Sequence, residues 1–138
     1  GFSCERRTAL GDGSAFTAEV LVLDTLGELA GVYALATAVF VGGSLVPSGG
    51  HNVVEAAVAG KAVVVGPHME NFREMAEAFV REDALVQLGD AAELGPALLR
   101  LLTDEPRRRE VGERARALVA RHRGSVARTV EALAGLVA

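Results

Sequence analysis

Three short apolar runs constrain this chain more than anything else in it. They are Val20–Asp24 (VLVLD), Ala38–Val41 (AVFV) and Ala62–Val65 (AVVV). Each is too short for a helix core and too uniformly apolar for a strand with one wet face. Such runs suit strands of a parallel sheet buried on both sides. Each ends abruptly, at Asp24, Gly42-Gly43 and Gly66-Pro67. The connections between them are long enough for a helical crossover, which parallel pairing requires. Helical spacing appears where it should: Leu29, Val32, Tyr33 and Ala36 after the first run, a segment from near Gly50 to a stop at Gly60 after the second, and Asn71 to Glu82 after the third. A short strand is expected at Leu85–Leu88. The first eighteen residues show no period and read as irregular, with room for one short strand.

Beyond that point the pattern is helical only. Ala91–Thr103 carries Leu94, Leu98, Leu101 and Leu102. Pro106 suits the first turn of a helix running to about His122 with Val111, Ala115, Leu118 and Val119 inward, and a last helix, Ser125–Val137, presents Val126, Val130, Leu133 and Val137. The expected architecture is α/β: a partial doubly wound parallel sheet of about four strands with C-terminal helices. A complete unit of this kind has about six strands, so βα units are expected to be missing on the N-terminal side.

Composition narrows the function classes. At 138 residues the chain is one domain or part of one. Half of it is apolar, which excludes a disordered segment. The lone Cys4 permits neither an internal disulfide nor a four-cysteine zinc site. No apolar run is long enough to span a membrane, and no signal peptide is visible. Residues 1–106 hold 6 Lys+Arg and 15 Asp+Glu (6 − 15 = −9), whereas residues 107–138 hold 8 Arg and 3 Glu (8 − 3 = +5). An acidic body of this kind argues against nucleic-acid binding. The basic tail reads as a solvated helix face, or as a contact to an anionic membrane or an acidic domain.

In open α/β sheets, ligands bind beyond the carboxyl ends of the strands. The three runs are followed there by Asp24-Thr25-Leu26-Gly27-Glu28, by Gly42-Gly43-Ser44-Leu45 with Gly49-Gly50-His51-Asn52-Val53-Val54-Glu55, and by Gly66-Pro67-His68-Met69-Glu70-Asn71-Phe72. These loops are expected side by side on one rim. In the second, glycine pairs let backbone N–H groups approach a ligand. Asn52 and Glu55, three apart, share a helix face; a carboxylate there suits paired sugar hydroxyls, and the amide with the N–H groups around Gly50–Asn52 suits a phosphate. The pattern is that of a nucleotide-sugar site. The same residues equally suit a helix N-cap by Ser48 or Asn52 with Glu55 as the capping-box partner, and Glu28 suits a helix start on dipole grounds. The loop is neither a Walker A sequence nor G-x-G-x-x-G, and Ser44 stands outside any nucleophile elbow. His51 and His68 match no zinc spacing. Asn71-Phe72 should cap and pack the next helix. No metal and no cofactor are expected.

The segment from Asp24 to Phe79 resembles the C-terminal half of the 3-deoxy-D-manno-octulosonic acid (Kdo) transferases. The resemblance is carried by D-T-x-G-E-L, F-V-G-G-S-L, G-G-H-N-x-x-E and G-P-H-x-x-N-F, in that order. Arg6-Arg7-Thr8, Arg123-Gly124 and Arg128-Thr129 are also similar to the family. The resemblance implies the GT-B fold of two Rossmann-like domains, with this chain as the C-terminal, donor-binding one. It implies an inverting enzyme that transfers Kdo from CMP-Kdo to lipid A precursor in lipopolysaccharide assembly, at the cytoplasmic face of the bacterial inner membrane. Carried over by motif, the CMP contacts fall on Leu26, Gly27 and Glu28 and on Asn52 to Glu55, beside Gly43, Ser44, Gly49, Gly50 and His51. Glu55 would take the ribose hydroxyls and Asn52 the phosphate.

Three family features have no counterpart here: the glutamate that serves as general base in the first domain, a Pro-Arg pair on an earlier strand, and a membrane anchor. The expectation is therefore a fragment of a longer enzyme, silent in catalysis alone. Two other readings stay open on the sequence: the donor domain of a GT-B enzyme that uses a UDP-sugar, and a non-catalytic binding module.

Overall fold

The computed structural model describes the backbone of residues 1–137 except positions 12 and 14, and the side chains of those residues as far as His122. It divides into two compact units, Gly1–Val32 and Tyr33–Ala138.

The first unit is a parallel pair of three-residue strands, β1 (Cys4–Arg6) and β2 (Val20–Val22), in the register Cys4↔Val20 to Arg6↔Val22. Polar groups tie them: the Ser3 N–H donates to Glu19 (3.0 Å), and the Glu19 N–H donates to Ser3 Oγ (3.0 Å). A strand of the VLVLD run is present, but its burial on both faces is not observed. Val20 and Val22 are each 41% exposed. Two strands this short have little sheet to cover, and a strand buries both faces only where layers cover both.

The chain enters the second unit within α1 (Leu29–Leu35), where Tyr33, and Ala36 just after the helix, pack against the core. Three parallel strands follow: β3 (Ala38–Val41), β4 (Ala62–Val65) and β5 (Val86–Gln87), in the order β3-β4-β5. Register pairs Val39 with Val63, Val41 with Val65 and Val64 with Val86. Among the described residues the strands therefore number five, in two ladders of two and three, where about four in one sheet were expected.

β4 is central, and all four of its residues are buried. Alternation divides them between two cores. Val63 and Val65 join Val39 and Val41 against Ala56 and Ala57 of α2 (Val54–Val58), Ala76 and Phe79 of α3 (Arg73–Arg81), and Ala115, Leu118 and Val119 of α5 (Glu105–Val137). Ala62 and Val64 face Leu88, Val111, and Ala97 and Leu101 of α4 (Leu94–Thr103). Burying each valine contributes about 1.5–3 kcal/mol. Helices on both faces of a parallel sheet are the doubly wound arrangement the sequence implies.

Helix α5 serves both cores, Val111 on one and Ala115 on the other. Between them Gly112 crosses the backbone at Gly60-Lys61, where a Cβ would lie 2.1 Å from the Gly60 carbonyl oxygen. The expected pair of helices is one continuous helix to Val137. A single glycine inside a helix costs only about 1 kcal/mol relative to alanine, so Gly124 does not stop it. The expected face of Val126, Val130, Leu133 and Val137, and the side chains of Arg123 and Arg128, lie outside the described residues.

Arginines of α5 close the unit. Arg107 and Arg114 both bind the Asp83 carboxylate at the end of α3, and Arg121 reaches Glu82 at 2.9 Å. Arg108 donates to the Leu101 carbonyl at 2.9 Å, at the C-terminal turn of α4, where a cation complements the helix dipole. No helix among the described residues is long and apolar enough to cross a membrane.

Replacing Gly112 with Ala should destabilise the chain by about 1–3 kcal/mol, the usual range for forcing atoms into a packed site; urea unfolding measures it, and an unchanged midpoint contradicts the close crossing. The hydrogen bond from Arg107, with the charges of Arg107 and Arg114, holds Asp83 below the usual carboxylate range. A depressed folded-state pKa stabilises above the unfolded value near 4, and the gain is lost as pH falls further. Asp83→Asn should therefore cost about 0.5–1 kcal/mol at neutral pH and flatten the fall in thermal stability between pH 4 and more acid solution.

Candidate functional site

The loops after β3 and β4 are built as one structure. After β3 the chain turns at Gly42-Gly43, and the Gly50 N–H returns to the Gly43 carbonyl (3.0 Å). The Ser48 hydroxyl donates to the same carbonyl (2.6 Å). Residues 43–50 are thus a closed excursion that ends where it began. Ser44 is fully buried at its root. Its hydroxyl donates to the Val41 carbonyl (2.6 Å) and accepts the Gly66 N–H (2.8 Å), joining the two strand ends. The Ser44 carbonyl accepts the His68 N–H (3.0 Å), and the Gly49 carbonyl accepts the Asn71 N–H (3.1 Å).

Gly49 and Gly50 are required by both conformation and space. Their φ angles are +87° and +74°, a region open to glycine and strained for other residues. A Cβ on Gly49 would meet the Asn71 amide at 2.2 Å, and one on Gly50 the Met69 sulfur at 2.5 Å. The side chains of Asn71 and Met69 therefore lie against the glycine pair. The sequence assigns Asn71 a capping role, but α3 begins at Arg73 with no side-chain cap; Asn71 packs on Gly49 instead. Phe72, expected to pack the first turn of that helix, is half-buried against the core.

The helix after this loop begins at Val54 rather than near Gly50. The left-handed turn at Gly50 cannot continue into a right-handed helix. Asn52 Oδ1 accepts the Val54 N–H at 2.9 Å, but the N-cap position of this helix is Val53 and no side chain caps it, so the expected cap with Glu55 as its partner is not formed. Ser48 caps nothing, because its hydroxyl is held by Gly43.

The segment sorts clearly by exposure. Val53 is buried in the core, and Ser44, Gly49 and Gly50 are buried as scaffold. Gly43 and Val54 are half-buried, while His51, Asn52 and Glu55 are exposed. Among the expected site residues of this segment, the last three are those with exposed polar side chains. The Gly50 N–H, expected to face a phosphate, is committed to Gly43. The Glu55 carboxylate lies near Tyr33; burial first, and that charge second, push the Tyr33 phenol above its usual pKa. His68 Nδ1 lies 3.1 Å from Glu70 Oε1. The Glu70 backbone N–H, then His68, lowers the Glu70 pKa. Among the described residues no three side chains converge in a way that could hold a metal ion.

In the first unit, the loop after β2 has its own polar cluster. The Thr8 N–H and hydroxyl donate to the two oxygens of Asp24 (3.0 and 2.7 Å). The Glu28 carboxylate accepts from Thr25 Oγ1 on one oxygen and from Arg7 Nε (3.2 Å) on the other. Both carboxylates are held below their usual pKa, Asp24 chiefly by the Thr8 hydroxyl and Glu28 chiefly by the Thr25 hydroxyl. Leu26 is fully exposed, Gly27 is exposed, and Glu28 is half-buried. Of the three expected loops, the second and third are brought together; Leu26, Gly27 and Glu28 belong to the first unit. Thr8 and Arg7 were not among the expected site residues. Their partners lie sixteen and twenty-one positions away, and the only local signal is the Arg6-Arg7-Thr8 string.

Comparison with known proteins gives the class of this arrangement. The profile of the family described as "Glycosyl transferases group 1" matches residues 18–118, and the chain belongs to that family. Within it, the chain is similar to the 3-deoxy-D-manno-octulosonic acid transferases, as its motifs imply. It is 39% identical to the Bordetella pertussis enzyme over 133 residues, covering 96% of this chain and 31% of that protein. It is 31% identical to the Haemophilus influenzae enzyme over 116 residues, 83% of this chain and 27% of that one. A probable mitochondrial member of Arabidopsis thaliana is 40% identical over 88 residues, 62% of this chain and 20% of that one. The chain thus spans a third or less of these relatives. Among solved structures it superposes on the C-terminal CMP-Kdo binding domain of WaaA from Acinetobacter baumannii with a TM-score of 0.77 and 31% identity, over 86% of this chain and 61% of that one.

The Ser44 hydroxyl offers a direct check of the loop architecture. Ser44→Ala leaves the Gly66 N–H buried without its acceptor and should cost about 1–3 kcal/mol, read from thermal or urea unfolding. A cost near zero contradicts the bridging role.

Proposed function

We propose that the chain is the donor-binding part of a Kdo transferase and takes CMP-Kdo. The observation that carries this reading is its likeness, in fold and at 31% identity, to a domain whose structure is described as CMP-Kdo binding. The exposed His51, Asn52 and Glu55 beside a tightly packed glycine pair support it, since a rigid loop with a few exposed polar groups can recognise a nucleotide without reorganising. In this reading Glu55 accepts from the ribose hydroxyls, Asn52 faces the phosphate, and Leu26, Gly27 and Glu28 complete the nucleotide contacts.

The reaction follows from the donor. The bond between the anomeric carbon of Kdo and the CMP phosphate oxygen breaks, and the electron pair leaves with CMP. A hydroxyl of lipid A precursor forms the new bond and gives its proton to a general base elsewhere in the enzyme. Negative charge grows on the departing phosphate, so donors held in place beside it lower the barrier. The contribution of this chain is to bind and orient CMP. The acceptor and the inner-membrane surface are partners of the whole enzyme, which works at the cytoplasmic face of that membrane in lipopolysaccharide synthesis.

Titration calorimetry with CMP and with UDP tests this. CMP should bind and UDP should bind more weakly. Glu55→Ala should weaken CMP by about 1.5–3 kcal/mol, the value of a hydrogen bond to a charged group. Equal affinity for the two nucleotides contradicts the donor assignment, and an unchanged affinity in Glu55→Ala contradicts the ribose contact.

A further inference from the structure

The Glu28 carboxylate is gripped from two directions, and only one grip belongs to its own turn. Thr25 Oγ1 donates to Oε2 from three residues before. Arg7 Nε donates to Oε1 from the 3-10 turn that follows β1 (Arg7–Ala9). Parallel pairing makes this possible. The register ends at Arg6↔Val22, so the residues leaving β1 meet those leaving β2. Two further contacts fix the geometry. Arg7 Nη1 donates to the Leu10 carbonyl at 3.2 Å, which anchors the guanidinium to its own turn. Thr8 clamps Asp24 with two hydrogen bonds, which anchors the start of the loop that carries Glu28. The guanidinium is 31% exposed and the carboxylate 40%. That leaves the carboxylate reachable by a ligand while its rotamer is held.

We infer that Arg7 is a positioning residue of the nucleotide site, which acts by holding the Glu28 carboxylate in one orientation rather than by touching the nucleotide. This rests on the reading of Glu28 as a nucleotide contact. A free glutamate samples several rotamers, and ordering it on binding has an entropic cost. A carboxylate already ordered by Arg7 and Thr25 does not carry that cost. The charge that acts on it is that of Arg7, while Arg6 acts on the neighbouring Asp24.

The test uses the chain carrying Arg7→Met, Arg7→Lys, Glu28→Gln and the double variant Arg7→Met/Glu28→Gln. Two readouts are taken: CMP affinity, and the titration of the Glu28 carboxyl carbon by NMR. Arg7→Met should weaken CMP about tenfold, in line with loss of one charged hydrogen bond, and move the Glu28 titration to higher pH. Arg7→Lys should recover part of both, which separates positioning from a folding defect. The double variant should bind no more weakly than Glu28→Gln alone. Fully additive losses would overturn the inference, since they mean that Arg7 meets the nucleotide itself. So would an unmoved Glu28 titration in Arg7→Met. If Glu28→Gln binds CMP like the unaltered chain, Glu28 is not a nucleotide contact and the inference falls with it; the Glu55→Ala comparison then still judges the donor site.

Discussion

The β4 strand carries four consecutive buried residues, and the rest of the second unit is arranged around them. Ala62 and Val64 look to one core, Val63 and Val65 to the other. A strand with no wet face needs neighbours on both edges and helices on both sides. β3 and β5 supply the edges; α2 and α3 cover one face and α4 the other. Helix α5 must reach both, and it does so by passing the start of β4 at a point where two backbones touch, Gly112 on Gly60.

The same constraint produces the site. Parallel strands fixed in register send their following loops out at the same end. The loops after β3 and β4 then meet over Ser44, whose hydroxyl satisfies one group from each strand end. Once the Gly49-Gly50 turn is packed under Asn71 and Met69, the chain between it and α2 has one course. His51, Asn52 and Glu55 are left outside it, beside a closely packed glycine pair. The first unit repeats the logic at smaller scale, with two strand ends tied through Thr8–Asp24 and Arg7–Glu28.

What was legible in the sequence follows from how local its cause is. The AVVV run could be read as a strand buried on both faces because its burial is written in the composition of four residues; AVFV could be read as a parallel strand, but on the edge it buries only Val39 and Val41 and leaves Ala38 and Phe40 half-buried. Gly60 could be read as a helix stop because its role needs only its own backbone angle. The VLVLD run was read the same way, yet burial depends on layers that no run encodes, and Val20 and Val22 stay exposed. β1 is a Cys-Glu-Arg stretch, and only pairing with β2 makes it a strand. The late start of α2 was hidden because the helical pattern from Gly50 ignores the left-handed angle that Gly50 adopts. Within the site, the motifs drew attention to the correct loops but could not say which residues face outward. Ser44 turns its hydroxyl into the fold, Asn71 lies on a glycine, and Arg7 meets Glu28 across twenty-one positions.

The central claim is that the exposed edge of these loops binds the nucleotide of an activated sugar. The amide shifts of the isotopically labelled chain on adding CMP measure this most directly. The account predicts saturable changes that are largest at His51–Glu55 and Leu26–Glu28. Changes confined to other surfaces, such as the apolar groove of about 500 Å³ lined by Met75, Phe79 and Val119, would contradict it, as would a spectrum that CMP leaves unaltered.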